Sequence, residues 1–349
     1  TPEITEVQWT PINVERGPHP DYMTKEIVEQ PGTLRDLAER APAYVNELCA
    51  RIEQAEDVYL IGCGSSGHAA HTAQYLFAKV AGRRLHFVTG SEFSYLYPFL
   101  GSRSLLIALS QSGETIDVLD AVRAAHERGA QVAAITNVEG SSLWRSADFN
   151  VPLGVGPERC VLATKSLLAQ LGVLMLTAYA MNRQLDVARS SLVRAADDIE
   201  RLLSAPSRAE IQAIAHSIAE RQHLFVLGRG ASHPLALETA LKIKEVSYMH
   251  AEGFAGGELK HGVMALVEPG TPCVVLAPQD ESHADSLANA MQLKARGCYV
   301  IGIASEAQSA FDHHIRVNDV GPATLISGTV PGQLLGYELA RLRRHDPDM

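Results

Sequence analysis

The chain has 349 residues, enough for two domains of ordinary size, and its 46% apolar and 20% charged residues are typical of a globular protein with a full core. The formal net charge of −10 excludes nucleic acid and acidic membranes as general partners, because both require a basic surface. The five cysteines are scattered without metal-ligand spacing, and the N-terminus lacks the pattern of a signal peptide. We therefore predict a cytoplasmic protein with reduced cysteines, no metal and no cofactor.

The first predicted unit of structure starts at Val58 and reads VYLIGCGSSGHAA: an apolar strand, a Gly-x-Gly turn and a helix. This turn is not a full GxGxxG, and no acidic residue follows at the distance that a dinucleotide site requires. Ser65 and Ser66 lie just after the turn. Their residue types leave two alternatives open, contact with a substrate or capping of the new helix.

The next predicted strand runs directly into a hydroxyl-rich loop, LIALSQSGET. Hydroxyl groups at Ser110, Ser112 and Thr115, with backbone N–H groups freed by Gly113 and by the helix start, predict an anion cradle that the helix dipole reinforces. Several charge-assisted hydrogen bonds of about 1.5–3 kcal/mol each could hold a phosphate dianion without an arginine. An ordinary helix cap needs only one hydroxyl, so we predict phosphate binding here.

The most apolar stretch of the chain, residues 166–181, reads SLLAQLGVLMLTAYAM. It is short for a membrane span and contains Gln170, so we predict a buried core helix and no membrane partner. Helical sequence rich in Leu and Ala, at about residues 160–200, links the parts of the chain before and after it. The best domain boundary is SAPS, residues 204–207.

A second copy of the first pattern begins at Leu224 and reads LFVLGRGASHPLALETALKIKEV. It aligns without gaps with the stretch from Val58, so that Gly228 and Gly230 fall on the two glycines of the first turn. A repeat of about 167 residues is far too long for a solenoid and indicates two copies of one α/β domain. We predict domains at 23–203 and 204–349, each a parallel sheet flanked by helices (a three-layer αβα arrangement), with ligands at the carboxyl ends of strands.

The second copy has a different loop after its second strand. In place of the hydroxyl-rich sequence it reads PQDESH, residues 278–283. Asp280 and Glu281 would repel a phosphate. Only the first copy is therefore expected to bind one.

Charged residues are concentrated on the helix after the second glycine turn. Glu238, Lys242 and Glu245 are spaced i, i+4 and i+7, so they share one helix face. Ketose–aldose interconversion needs a carboxylate that moves a proton between adjacent carbons and a cation or donors near the enediol oxygen. The alternative is a solvated ion pair worth less than about 1 kcal/mol. We interpret Lys244 and His250 as structural.

The segment GFAGGELKHG follows this helix, and we expect it to be a pliable loop. Gly253, Gly256 and Gly257 would permit backbone turns that are closed to other residues. Glu258 and His261 are candidates to reach a sugar, because a neutral imidazole can pass a proton to the ring oxygen as a hemiacetal opens. The alternative is that His261 is an ordinary hydrogen-bonding residue of a loop.

In combination, the motifs GCGSSGHAA, SQSGET, TNVEGSSL and HAEGFAGGELKHG resemble the double SIS (sugar isomerase) family, and most closely the isomerase half of glucosamine-6-phosphate synthases. The resemblance runs from about Met23 to Met349 and implies two tandem SIS domains in an α/β fold. Residues 1–22 look like the segment that joins a glutaminase domain to the isomerase in those enzymes. The resemblance also implies a homodimer.

By this resemblance, seven residues would surround a hexose 6-phosphate: Ser65, Ser66, Ser110, Gln111, Ser112, Thr115 and Val161. Glu245 would move the proton between C1 and C2, and Lys242 would lie close by. His261 would assist ring opening across a dimer interface. Three departures are visible: the chain begins at Thr1 without a glutaminase domain, Ala163 stands where the family often has serine, and no lysine-bearing tail follows Met349.

The predicted function is a sugar-phosphate aldose–ketose isomerase acting on hexose or hexosamine 6-phosphates, with chemistry of the fructose 6-phosphate to glucosamine 6-phosphate type. Two alternatives stay open. One is a glucosamine-6-phosphate deaminase, which uses nearly the same groups in the other direction. The other is a non-catalytic sugar-phosphate-binding regulator, which the acidic charge and the presence of Glu245 and His261 make less favourable.

Overall fold

The structure is a computed structural model that describes residues 14–349. Most of the linker-like segment predicted at 1–22 lies outside the described residues. Two compact units are formed, the first by residues up to Lys25, Asp36–Arg159 and Lys165–Arg189, and the second by Glu26–Arg35, Cys160–Thr164 and Ser190–Met349. The domain boundaries predicted at 23–203 and 204–349 stay a prediction.

The first unit contains a five-stranded sheet. Its strands are β1 (Asp57–Gly62), β2 (His86–Thr89), β3 (Ser104–Ser110), β4 (Gln131–Thr136) and β5 (Phe149–Pro152). All neighbours pair in parallel, in the order β2-β1-β3-β4-β5. Its helices are α1 (Tyr22–Arg40, with residues 26–35 assigned to the second unit), α2 (Pro42–Gln54), α3 (Gly64–Leu76), α4 (Ile116–Glu127), α5 (Ser142–Ser146) and α6 (Lys165–Met181), with a π-helical turn at Phe77–Ala81 and a 3₁₀ segment at Gly90–Phe99.

The second unit contains another five-stranded sheet. Its strands are β6 (His223–Gly228), β7 (His250–Ala255), β8 (Pro272–Ala277), β9 (Tyr299–Ala304) and β10 (His313–Arg316). All neighbours are again parallel, in the order β10-β9-β8-β6-β7. The helices here are α7 (Leu185–Leu202, with residues 185–189 assigned to the first unit), α8 (Ala205–Ile218), α9 (Ser232–Ser247), α10 (His283–Ala295), α11 (Thr324–Ser327) and α12 (Val330–Leu342), with 3₁₀ segments at Gly256–Glu258, Val263–Leu266 and Gly321–Ala323.

The two sheets have the same topology. Taken from β7, the second sheet reads β7-β6-β8-β9-β10, which matches β2-β1-β3-β4-β5 strand for strand. The central strands β3 and β8 are buried along their whole length, as expected for parallel sheets covered by helices on both faces. The predicted fold class, two copies of one α/β arrangement, is confirmed. In each sheet the order reverses beside the first strand of the copy, which is where such sheets bind ligands.

In both units, the first glycine of the turn allows a close backbone approach and the second adopts a left-handed conformation. A Cβ on Gly62 would lie 2.7 Å from the backbone carbon of Ser66, and a Cβ on Gly228 would clash with the backbone of Ser232. The strand end and the helix start therefore approach too closely for any side chain. The second glycines, Gly64 and Gly230, have φ values of +54° and +52°, a left-handed conformation that favours glycine.

The prediction of a pliable loop for GFAGGELKHG, residues 253–262, is wrong in its first part, because residues 253–255 belong to strand β7. None of the three glycines has a positive φ. Gly253 is required for a different reason, because a Cβ there would lie 2.6 Å from the carbonyl oxygen of Ala236 on α9. Gly256 is similarly enclosed, with the Asn289 side-chain oxygen 2.7 Å from a Cβ position. These glycines allow close packing of backbone and neighbours.

Helix α6 is buried along nearly all of its length, in agreement with the predicted core helix. Its polar residue Gln170 donates a hydrogen bond from Nε2 to the hydroxyl of Ser66 at 2.9 Å. A buried amide is tolerated when it is paired in this way. Among residues 14–349, no helix is both long and apolar enough to cross a membrane.

We predict that Gly62→Ala lowers the free energy of unfolding by about 1–3 kcal/mol, because the new methyl group overlaps the backbone at the start of α3. The matched control is Gly32→Ala in α1, where a Cβ meets nothing within 4 Å and where alanine should add about 0.5–1 kcal/mol. Thermal unfolding of both variants measures the difference. Equal melting temperatures for the two variants would contradict the close approach at Gly62.

Candidate functional site

The hydroxyl-rich loop of the first unit, residues 110–115, follows β3 and is folded by its own side chains. The Ser110 hydroxyl accepts a hydrogen bond from the Gly113 N–H at 3.0 Å and lies 3.1 Å from the Thr115 hydroxyl. The Ser112 hydroxyl accepts from the Glu114 N–H at 3.2 Å. The Ser110 and Ser112 oxygens accept from the backbone of the loop, and one hydroxyl proton is used between Ser110 and Thr115, which leaves two of the three hydroxyl protons for donation to an anion.

The same loop ends at the start of α4, where Thr115 is the N-cap residue. Its side chain makes no capping hydrogen bond, so the first N–H groups of α4 are not satisfied by a side-chain cap. Gly113 has a φ of +68° and turns the chain so that the loop can close on the helix start. Free N–H groups and the positive end of the helix dipole together favour a bound anion.

The TNVEGSSL motif supports this loop from the side. Leu143 donates its N–H to the Gly113 carbonyl oxygen at 2.9 Å. The Ser142 N–H donates to the Glu114 carboxylate at 2.8 Å, and this hydrogen bond is the main cause of the lowered pKa of Glu114. Glu114 therefore engages the start of α5. A Cβ on Gly113 would clash with the Ser141 side chain, so the contact requires glycine at that position.

Asn137 is a buried residue of this region that the sequence interpretation missed. Its N–H donates to the Gln111 carbonyl oxygen at 3.2 Å, which fixes the backbone of the hydroxyl-rich loop. Its side-chain amide donates to the Gly156 carbonyl oxygen at 2.8 Å and accepts from the Val155 N–H at 3.1 Å. The sequence could have indicated Asn137, because it directly follows β4, at the strand end where ligands bind, and belongs to the motif TNVEGSSL.

Ser65 and Ser66 lie in the first turn of α3, at the carboxyl end of β1, and both are largely buried. Strand β1 pairs with β3, so these serines and the hydroxyl-rich loop belong to the same edge of the first sheet. Ser66 is engaged by Gln170. This contact supports a structural role for its oxygen and leaves its proton available for a ligand.

Val161 belongs to the short segment Cys160–Thr164 of the second unit, and its side chain is 54% exposed. Glu26, buried on α1, holds this segment with both carboxylate oxygens: one accepts from the Cys160 N–H at 3.1 Å, and the other lies 3.4 Å from the Thr164 hydroxyl. Cys160 itself donates to the Pro347 carbonyl oxygen at 3.3 Å, and burial raises the pKa of its thiol. No pattern in the sequence pointed to Glu26.

On α9, the predicted face of Glu238, Lys242 and Glu245 is present. The Lys242 ammonium lies 3.0 Å from the Glu238 carboxylate and 3.5 Å from the Glu245 carboxylate. The lysine and Glu238 side chains are 1% and 2% exposed, while that of Glu245 is 35% exposed. The group therefore differs from the solvated ion pair that was the alternative. The Glu238 carboxylate is buried beside the lysine, and the Glu245 carboxylate is partly exposed to solvent.

The burial of Lys242 has a visible cause in the packing of α12 against α9. A Cβ on Gly332 would lie 2.8 Å from the Thr239 side chain, and a Cβ on Gly336 would lie 3.2 Å from the Lys242 carbonyl oxygen. Two glycines one helical turn apart thus let α12 approach the backbone of α9 closely at Lys242.

The charge state of Lys242 follows from competing effects. Burial alone lowers the pKa of its ammonium, but the Glu238 and Glu245 carboxylates outweigh burial, and the net pKa is raised above 10.5. Lys242 is therefore a cation at neutral pH. Its ammonium is placed to orient the Glu245 carboxylate.

His261 lies beyond β7, after the 3₁₀ segment Gly256–Glu258, and is exposed. Its N–H donates to the Glu258 carbonyl oxygen at 2.9 Å, and its ring makes no hydrogen bond with the part of the chain from 14 to 349. The structure does not bring His261 into hydrogen-bonding contact with Lys242 or Glu245 of the same chain.

The second unit has a cleft at the carboxyl ends of β8 and β9. It encloses about 370 Å³, part of it open to solvent. Apolar side chains such as Leu235, Leu276 and Ile303 line it, with Gln279 and Asp319 among its polar residues and no basic residue. None of the predicted site residues lines this cleft.

Comparison with known proteins gives consistent matches along the whole chain. A family model described as SIS domain matches residues 51–180 and 217–330. Two relatives named glutamine–fructose-6-phosphate aminotransferase [isomerizing] are each 36% identical to this chain. The one from Pyrococcus horikoshii matches 100% of the chain, and the one from Symbiobacterium thermophilum matches 99%. The chain spans about three fifths of these relatives, 59% and 60% of their lengths.

Two solved structures have the same fold over nearly all of the chain. The C-terminal domain of glucosamine-fructose-6-phosphate aminotransferase from Francisella tularensis superposes with a TM-score of 0.88 at 29% identity, covering 96% of this chain and 100% of that one. A glucosamine-6-phosphate deaminase from Thermotoga maritima has a TM-score of 0.77 at 25% identity, covering 94% and 97%.

We predict that Lys242→Met lowers the free energy of unfolding by about 3–5 kcal/mol, because the Glu238 carboxylate would remain buried without its cation. Adding Glu238→Gln should recover part of that loss, and urea denaturation of the single and double variants measures the coupling. Since the pKa of Lys242 is raised, the contribution of the pair is complete at pH 7–9 and should decline only above 10.5. A loss that is the same in the presence and absence of the Glu238 carboxylate would contradict the pairing.

Proposed function

We propose that this chain, which belongs to the SIS domain family, binds a hexose or hexosamine 6-phosphate and moves a proton between C1 and C2 of the sugar. The observation that carries the proposal is the ion-pair group of α9. Lys242 is buried between two carboxylates, and one of these, Glu245, is partly open to solvent. Burying a lysine is costly, and a group oriented in this way is suited to proton transfer.

Phosphate binding is assigned to the hydroxyl-rich loop of the first unit. The loop offers the uncapped N–H groups of α4 and two of the three hydroxyl protons of Ser110, Ser112 and Thr115, because one proton is used in the Ser110–Thr115 hydrogen bond. Gln111, fixed through its backbone by Asn137, belongs to the same assignment, as do Ser65 and Ser66 at the same sheet edge. Val161, the exposed residue of the otherwise largely buried segment that Glu26 holds, would offer backbone groups.

Proton transfer is assigned to Glu245. In the open-chain ketose, its carboxylate would remove a proton from C1, beside the carbonyl or imine carbon C2, and return that proton to C2, so that the carbonyl passes to C1. Lys242 would hold the carboxylate in position during the transfer. Its burial favours this positioning role over direct contact with the sugar. His261 would assist ring opening by passing a proton to the ring oxygen.

Two directions of the reaction use these groups. In the synthetic direction, ammonia condenses with C2 of fructose 6-phosphate with loss of water, and proton transfer from C1 to C2 yields glucosamine 6-phosphate. In the degradative direction, the same steps reversed release ammonia from glucosamine 6-phosphate. The curated relatives support the first direction, and the Thermotoga maritima deaminase supports the second. We favour the synthetic direction because those relatives are more similar in sequence.

A homodimer in which His261 acts across the interface is a further part of the proposal. The exposure of His261 and its lack of contact with Lys242 and Glu245 of its own chain support it. Sedimentation as a monomer at assay concentration, with full activity, would contradict it. A regulator that binds sugar phosphate without turnover is the remaining alternative, and its expected outcome is tight binding with no product.

We predict that Glu245→Gln lowers turnover by about 10²–10⁴-fold, because the amide cannot accept the C1 proton, while binding of the sugar phosphate persists. NMR measures turnover in both directions of the reaction: synthesis from fructose 6-phosphate, with and without ammonium, and release of ammonia from glucosamine 6-phosphate. The matched control is Lys244→Ala, an exposed residue next to Glu245, which should be fully active. Unchanged turnover in Glu245→Gln would contradict the assignment, and tight binding without product in the wild type would favour the regulator.

We also predict that Ser110→Ala weakens binding of fructose 6-phosphate by roughly 10- to 100-fold, since one charge-assisted hydrogen bond of about 1.5–3 kcal/mol is lost. The control is Ser282→Ala in the second copy, whose hydroxyl donates to Asp280 at 2.7 Å and is not assigned to the substrate. Calorimetric titration gives the dissociation constants. Equal weakening in both variants would contradict a phosphate site at the hydroxyl-rich loop.

A further inference from the structure

Two histidines stand side by side at the amino-terminal ends of neighbouring strands in the second unit. His223 is the first residue of β6, and His250 is the first residue of β7. The strands are parallel, and the pairing register places the two residues directly opposite each other. Residues paired in this way point to the same face of the sheet. Both histidines therefore lie at the amino-terminal edge of the sheet, whereas Gly228 and the glycine turn lie at the carboxyl end of β6.

The two imidazole rings are held close together at the surface. Their Nδ1 atoms are 3.2 Å apart, the ring centroids are 5.3 Å apart, and the ring planes are nearly perpendicular, at 85°. Both residues are exposed. A hydrogen bond accounts for this distance when one Nδ1 carries a proton and the other accepts it. The strands fix both backbones, so the pair is preorganised for any ligand that takes two nitrogen donors.

The separation of the two nitrogens suits one metal ion. Zinc binds imidazole nitrogen at about 2.0–2.1 Å with tetrahedral geometry, which places two nitrogens of the same ion about 3.3 Å apart. The observed distance is 3.2 Å. Imidazole is a preferred donor for zinc, copper and nickel. The ring that carries its proton on Nδ1 would shift it to Nε2, so that both Nδ1 atoms become donors without any change in net charge.

We propose that His223 and His250 form a surface site for a divalent transition-metal ion, with zinc as the reference case. Within the described part of the chain, no group of three or more His, Cys, Asp and Glu residues could hold a metal. The site therefore has two protein ligands, and water completes the coordination. An ion there would link the ends of β6 and β7.

Isothermal titration of the full chain with zinc chloride tests the proposal. We expect one ion per chain in the wild type, and binding weakened at least about tenfold in His223→Ala and in His250→Ala, because even loss of a group that only supports a metal ligand weakens binding by about 10- to 100-fold. The matched control is His313→Ala. His313 is also exposed and also opens a strand, but its ring packs against Tyr299 at 5.2 Å. This variant should bind as the wild type does.

Nitrogen NMR of the histidine side chains gives a second readout that does not depend on the variants. Zinc should move the Nδ1 resonances of His223 and His250 and leave the proton of each ring on Nε2. Binding that is unchanged in both His223→Ala and His250→Ala overturns the proposal. So does a wild type that takes up no zinc at a ratio of one to one, or that shows no change at these two rings.

Discussion

In both units a strand end and the helix that follows it approach so closely that only glycine fits between them. At Gly62 and Gly228 a single methyl group would overlap the backbone of the next helix. This approach places the helix start directly over the end of the first strand, at the edge where the sheet order reverses. Groups on the neighbouring loops are thereby brought to that edge with fixed backbones. The chemistry of each unit depends on which side chains its loops carry there.

The two copies carry different side chains on the same frame. After β3, the loop holds its hydroxyls in contact with its own backbone, as in the Ser110–Gly113 hydrogen bond. After β8, Asp280 uses its carboxylate to bind the backbone and hydroxyl of Ser282, and the nearby cleft has no basic residue. A duplicated domain can change in this way because both copies keep the strand order and the glycine turns that form the frame.

The sequence predicted the strands, the repeat and the glycine turns, because these depend on local patterns. It also placed Glu238, Lys242 and Glu245 on one helix face. It could not predict the burial of Lys242, since that depends on tertiary packing around α9. The close approach of α12, for example, depends on Gly332 and Gly336, which lie about 90 residues further along the chain. Gly253 was misinterpreted for a related reason: glycine serves both left-handed turns and close approach, and the sequence does not distinguish the two uses. The roles of individual site residues stay predictions.

Glu26 illustrates a contact across 134 residues of sequence. Both of its carboxylate oxygens are used to hold the segment that contains Val161, and helix α1, on which it lies, precedes every strand. A shortened version of the protein starting at the first strand would lose α1 and α2, whose side chains Leu34, Leu37, Leu48 and Ile52 are fully buried. It would also lack Glu26, so the segment around residue 161 would lose the two hydrogen bonds that this carboxylate accepts from it. Residues before the first strand are therefore part of the folded core as well as an anchor for the segment around residue 161.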